Sequence, residues 1–153
     1  MQVHEFMKPV VMTILPTHSC YEAAVRMRRS EIHHLAVVDD RGQLLGIITD
    51  RDLRSFLFAA LVNTPADRAL YADKALDERP VRDVMSAPAI TVGPEEPLAA
   101  AVRLMAEKKI GSVPVVEHNQ LVGIITESDL IRLLFRRRIF CCAEVESVLL
   151  PVA

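Results

Sequence analysis

The sequence predicts an α+β fold with α/β-type layers, built from two β-α-β-β-α copies packed as a pseudo-two-fold pair. Three observations carry this expectation. The chain repeats itself at a nearly constant offset. Each copy passes from β-branched apolar runs to amphipathic stretches at the same points. At roughly 50 residues, neither copy alone can bury a sufficient core, so the two must pack together.

The repeat is read directly from the residues. Shifted by 78 positions, Met7 falls on Met85, Thr13 on Thr91 and Pro16 on Pro94. Ala23 then meets Ala101, Met27 meets Met105, Ile32 meets Ile110, and Val37-Val38 meets Val115-Val116. After a one-residue deletion near Asn119 the offset is 77, which aligns Gly46-Ile47-Ile48-Thr49 with Gly123-Ile124-Ile125-Thr126, Asp52 with Asp129 and Leu53 with Leu130.

In each copy a short extended piece (Val11 to Leu15; Ala89 to Val92) ends at a Pro-containing turn. A helix follows, with Ala23 and Met27, or Ala101 and Met105, four apart on one face. Ser19 and Glu22 have capping-box spacing at the first of these helices. The runs Leu35 to Val38 and Val113 to Val116 are too short and β-branched for helices. Polar turns at Asp39 to Gln43 and Glu117 to Gln120 join them to Leu44 to Ile48 and Leu121 to Ile125, giving hairpins. A second helix starts near Asp50 or Glu127. This divides the chain into copy 1 (residues 1–62), a connecting helix between Pro65 and Pro80 (63–80), copy 2 (81–138) and a tail (139–153).

Composition excludes several functions. A net charge of −2 gives no field for DNA or an anionic membrane. No run approaches the roughly 18 apolar residues needed to span a bilayer, and the opening residues do not read as a secretion signal. Three cysteines, two of them adjacent, suit a reducing cytoplasm rather than a disulfide framework. There is no Ser/His/Asp pattern, Cys-x-x-Cys, His-Glu-x-x-His or Gly-rich phosphate loop, so a non-enzymatic role is expected.

The informative corners are Gly46-Ile-Ile-Thr49-x-x-Asp52 and Gly123-Ile-Ile-Thr126-x-x-Asp129. In each, a strand ends at a Thr where a helix begins. Unpaired amides and the positive end of the helix suit a phosphate, and the Thr hydroxyl adds a donor. The Asp, one turn on, can accept from vicinal ribose hydroxyls. The same spacing is also an ordinary helix cap, and both readings stand.

Those corners, Met7 and Met85, the Ala-x-x-x-Met helices, and the segments IHHLAVVDDRGQLLGIITDRDL and IGSVPVVEHNQLVGIITESDL together resemble the tandem CBS (cystathionine β-synthase) domain pairs, or Bateman modules, over roughly residues 3–58 and 81–135. The resemblance implies a regulatory module that binds AMP, ADP, ATP or S-adenosylmethionine in clefts between the repeats. It further implies a homodimer that signals to an effector protein. It assigns Thr49, Asp52, Thr126 and Asp129 to the sugar-phosphate. To the base it assigns Thr13 and Thr91, with Ile32-His33-His34-Leu35 and Ile110-Gly111-Ser112-Val113-Pro114.

The copies differ. Gly111 and Ser112 leave room where His33 and His34 are bulky, and Ala36 stands where Pro114 does, so the second cleft is nearer the family pattern. Adjacent His33 and His34 on a strand point to opposite faces, which argues against a metal. Arg51, Arg54 and Arg132 lie within reach of a phosphate or of solvent. Arg136-Arg137-Arg138 suits the negative end of a helix better than an anion site. For Cys141-Cys142 a structural role outweighs a redox one. The apolar tail from Ile139 to Ala153 belongs either to a partner surface or to its own subunit.

Overall fold

Residues 1–62 and 68–136 are described by the computed structural model. The tail, Arg137, Arg138 and Cys141-Cys142 lie outside the described residues, as does the start of the connecting segment, and for Arg136 only the backbone is described. In chain order the elements are β1 (Thr13–Ile14), α1 (Cys20–Arg29), β2 (His34–Val38), β3 (Leu44–Thr49), α2 (Asp50–Val62), α3 (Arg68–Glu78), α4 (Leu98–Lys108), β4 (Ser112–Glu117), β5 (Gln120–Thr126) and α5 (Glu127–Arg136). The expected double β-α-β-β-α architecture is present, with one difference in copy 2.

In copy 1, β1 runs parallel to β2, with Thr13 opposite Ala36, and β2 pairs antiparallel with β3. Copy 2 keeps the hairpin, but its opening strand shrinks to one bridge between Val92 and Val115. The cause is chemical. Ala36 N–H donates to Met12 O at 3.3 Å, whereas its counterpart Pro114 has no N–H to give. The hairpin turns also differ. Between the paired Val38 and Leu44, Asp39 Oδ1 accepts from the N–H of Arg41 and Gln43, and Gly42 supplies φ +78°. In copy 2, His118 and Asn119 both take positive φ (47° and 65°), the geometry of a two-residue hairpin whose twist matches its strands. The single-residue gap in the repeat falls here.

Each hairpin packs under its helices. Ile14, Ala23, Met27, Leu35, Val37, Ile48 and Leu53 form one apolar cluster, and Val92, Ala101, Met105, Val113, Val115 and Ile125 form the other. The α1 cap is half of the expected box. Ser19 Oγ accepts from Glu22 N–H at 3.2 Å, but the Glu22 carboxylate turns to Arg26, whose Nε lies 3.1 Å away. Helix α3 packs on α1 and α2 and places Leu76 in the copy 1 cluster.

The copies are joined by exchange, which the sequence did not reveal. The segment leading copy 1 inserts Val3, Phe6 and Met7 into the core of copy 2, while Val81, Val84 and Met85 enter the core of copy 1. Val3 N–H donates to Glu96 O, and its equivalent Val81 N–H donates to His18 O. Lys8 and Ile124 exchange both backbone hydrogen bonds (2.9 and 3.0 Å), as do Ser86 and Ile47 (2.9 and 3.0 Å). Gly46 and Gly123 sit under these crossing arms. A Cβ on Gly46 would lie 2.6 Å from Ser86 O, and one on Gly123 would lie 2.5 Å from Met7 Sδ. The repeated Met and the repeated Gly are therefore two sides of one contact.

Candidate functional site

The two strand-to-helix corners have nearly the same geometry. At the first, Thr49 N–H and Oγ1–H both donate to Asp52 Oδ2 (2.9 and 2.7 Å), and Asp52 N–H donates back to Thr49 Oγ1 (3.2 Å). At the second, the matching distances for Thr126 and Asp129 are 3.1, 2.6 and 3.4 Å. The helix-cap reading is thus realised in full at both helices. This corrects one expectation. The Thr hydroxyl hydrogen is spent on its own Asp and is not a standing donor for a phosphate.

The first-turn amides are also partly used. Asp50 N–H donates to His33 O (3.1 Å) and Glu127 N–H to Gly111 O (3.0 Å). Those bonds tie Ile32-His33-His34 and Ile110-Gly111-Ser112 to the starts of α2 and α5. Among the described hydrogen bonds, the first corner has the amide of Arg51 and the Asp52 Oδ1 oxygen left, and the second the amide of Ser128, while Asp129 Oδ1 is already held by Lys8.

Not every expected residue reaches the corner. Leu35 and Val113 are fully buried inside the two apolar clusters, so neither is placed to pack on a base. Strand alternation puts Ala36 and Pro114 on the opposite face, outside both clusters. Thr13 lies across from Ala36, and Thr91 precedes the Val92 bridge beside Pro114. Ser112 is buried, while Thr91 is exposed. His33 is exposed with Nδ1 3.3 Å from Asp50 Oδ2, and Arg54 meets the same oxygen at 3.0 Å. Arg51 is exposed. Among the described residues, no group of three or more His, Cys, Asp or Glu is arranged to hold a metal.

His34 crosses between the copies. Its Nε2 lies 3.2 Å from where a Cβ on Gly111 would stand, so the small residue in copy 2 makes room for the large one in copy 1. Burial lowers the His34 pKa from 6.5, reinforced by His33 and opposed by Asp50, Glu127 and Asp52. The unfolded chain therefore binds the proton more readily. Stability from this group is complete above pH 6.5 and is lost as pH falls through that value toward the lower folded pKa. Urea unfolding between pH 7 and pH 5 is expected to show that decline, and His34→Gln is expected to flatten it.

The corners differ in the cations around the carboxylate, two at Asp129 and none paired with Asp52 among the described residues. Lys8 Nζ lies 2.8 Å from Asp129 Oδ1, and Arg132 lies 3.9 Å from the same oxygen. Burial works to raise the Asp129 pKa, but hydrogen bonds from Lys8 and Thr126 and the Lys8 charge hold it below its ordinary value. Elsewhere, burial pushes the Cys20 thiol up to about 11, partly offset by Arg79, so it stays protonated and unreactive.

Comparison with known proteins agrees with this architecture. The family model described as CBS domain matches residues 3–59 and 81–136. A CBS domain-containing protein of Bacillus subtilis, YhcV, is 34% identical over 128 residues, covering 84% of this chain and 81% of that protein. An uncharacterised protein of Methanopyrus kandleri is 34% identical over 131 residues. This chain spans 61% of that relative's length, and 31% of a similar Methanocaldococcus jannaschii protein. Among solved structures, a putative acetoin utilization protein of Vibrio cholerae superposes with a TM-score of 0.76 at 31% identity, over 90% of this chain and 93% of its own. The CBS domain pair of protein MJ0100, solved with 5′-methylthioadenosine and S-adenosyl-L-methionine, gives 0.74 at 27% identity, over 90% of this chain and 98% of its own.

Proposed function

The chain belongs to the CBS domain family, with two copies in tandem, and from that premise we propose that it is a non-enzymatic sensor whose clefts bind an adenine nucleotide or a related adenosine derivative such as S-adenosylmethionine. The observation that carries this reading is the duplicated corner. Twice, a carboxylate oxygen left over from a helix cap stands beside a first-turn amide and the segment leading into the central strand. Oδ1 of Asp52 or Asp129 accepts from the ribose hydroxyls. The amide of Arg51 or Ser128 meets the 5′ substituent. The base lies by Thr13 and the Ile32-His33-His34 segment or by Thr91 and the Ile110-Gly111-Ser112 segment, between the copies. The adenosine-type ligands of the MJ0100 pair support that chemistry.

A ligand held by both copies favours one arrangement of them over another, by the difference in its affinity for the two. The output is a changed surface offered to an effector protein, from a homodimer in the cytoplasm. The complete caps favour a second reading, a constitutive dimerisation scaffold whose clefts bind nothing. Thermal melting with AMP, ATP, S-adenosylmethionine and 5′-methylthioadenosine separates the two. At a hundred times its dissociation constant, a true ligand stabilises the native state by about 2.7 kcal/mol. An unmoved transition across the panel selects the scaffold.

A further inference from the structure

Duplication makes the corners alike in every hydrogen bond of the cap, but not in what the exchanged arms bring to them. The backbone of Lys8 is fixed on β5 by its two hydrogen bonds with Ile124, and its ammonium reaches Asp129 Oδ1 at 2.8 Å. Ser86 is its pseudo-two-fold equivalent, bridged to Ile47 in the same way, with a short uncharged side chain. Among the described residues, no ion pair reaches Asp52. The oxygen that Lys8 occupies is the one the cap leaves over, since Thr126 holds Oδ2.

Resting on the nucleotide reading above, we propose that Lys8 sets the ligand class of the second corner, reserving it for adenosines that carry a 5′-phosphate, while at the first corner a phosphate-free adenosine displaces no cation from Asp52. Asp129 is only 12% exposed, whereas the Lys8 side chain is 50% exposed, so it is the lysine that can swing on its flexible stem. A ribose that takes Asp129 Oδ1 displaces or shares the ammonium. If the ligand ends in an uncharged group, the ammonium loses its anion and gains nothing. If the ligand carries a phosphate, the ammonium exchanges one charge-assisted bond for another, and the phosphate also meets the amide end of α5. The first corner makes no such demand, because Ser86 brings no cation to it.

The test uses the full chain with one corner silenced. Asp52→Asn leaves the second corner, and calorimetric titration compares AMP with 5′-methylthioadenosine, its phosphate-free counterpart. AMP is expected to bind tighter by about tenfold or more, with the preference shrinking as salt rises. Adding Lys8→Gln is expected to bring the two affinities within about threefold of each other. The converse pair, Ser86→Lys with Asp129→Asn, is expected to give the first corner an AMP preference. Binding by the Asp52→Asn protein with a ratio unmoved by Lys8→Gln overturns the role of Lys8 and leaves the nucleotide reading standing. Wild-type binding that vanishes in Asp52→Asn shows that the second corner takes no ligand, and likewise overturns the role of Lys8 alone. No heat from the wild-type chain with either compound removes the nucleotide reading and this proposal together.

Discussion

Gly46→Ala is expected to cost about 3 kcal/mol of stability, near the upper end for overpacking a core, and to lower the melting temperature by roughly 6–12 °C for a chain of this size. The added Cβ would stand 2.6 Å from Ser86 O, 3.2 Å from Met85 Sδ and 3.3 Å from the Ala87 Cβ. The nearest atom is backbone, and it is held by Ile47 N–H at 3.0 Å, so it cannot retreat without breaking the bridge between the arm and β3. Gly123→Ala makes the milder comparison. Its nearest neighbours are Met7 Sδ at 2.5 Å and Cγ at 2.9 Å, the movable end of a flexible side chain, with Lys8 O at 3.1 Å. Met7→Ala is expected to relieve Gly123→Ala in part, whereas Met85→Ala leaves the Gly46→Ala cost largely intact. Chemical denaturation of the four variants reads the difference. Equal, small effects at both glycines would mean that the arms do not cross where the structure puts them.

Leu35→Ala is expected to cost about 3 kcal/mol, within the range for deleting a buried leucine, while changing the affinity for a nucleotide by less than about threefold. The side chain is fully buried among Ile14, Val37 and Ile48, with no face toward the cleft. Urea unfolding and calorimetry on the same preparation separate the two effects. A stable variant that had lost binding would return Leu35 to the base-contacting role that the family resemblance implied.

Much of the fold was legible because duplication wrote the same pattern twice. β-branched runs, Ala and Met four apart, and a Thr followed by an Asp mark strand, helix face and helix start in both copies, and α2 and α5 begin at Asp50 and Glu127 as expected. What stayed hidden depends on pairing over long distances. Nothing local to Met7 or Met85 says which copy it enters, since either core would accept a methionine. The lost opening strand of copy 2 was in principle readable, because Pro114 faces a position where Ala36 donates a hydrogen bond. At the site, spacing indicated that Thr49 and Asp52 would meet, but not that the hydroxyl would be spent on the carboxylate or that Lys8, remote in sequence, would reach Asp129.

The reading of both corners as sugar-binding carboxylates meets its most direct trial in calorimetric titration of AMP into the wild-type chain and into Asp52→Asn/Asp129→Asn. Asparagine keeps an oxygen for the cap, so the double variant is expected to stay folded. Saturable heat from the wild-type chain and none from the folded double variant is the expected result. Equal binding by both proteins, or heat from neither, would contradict it.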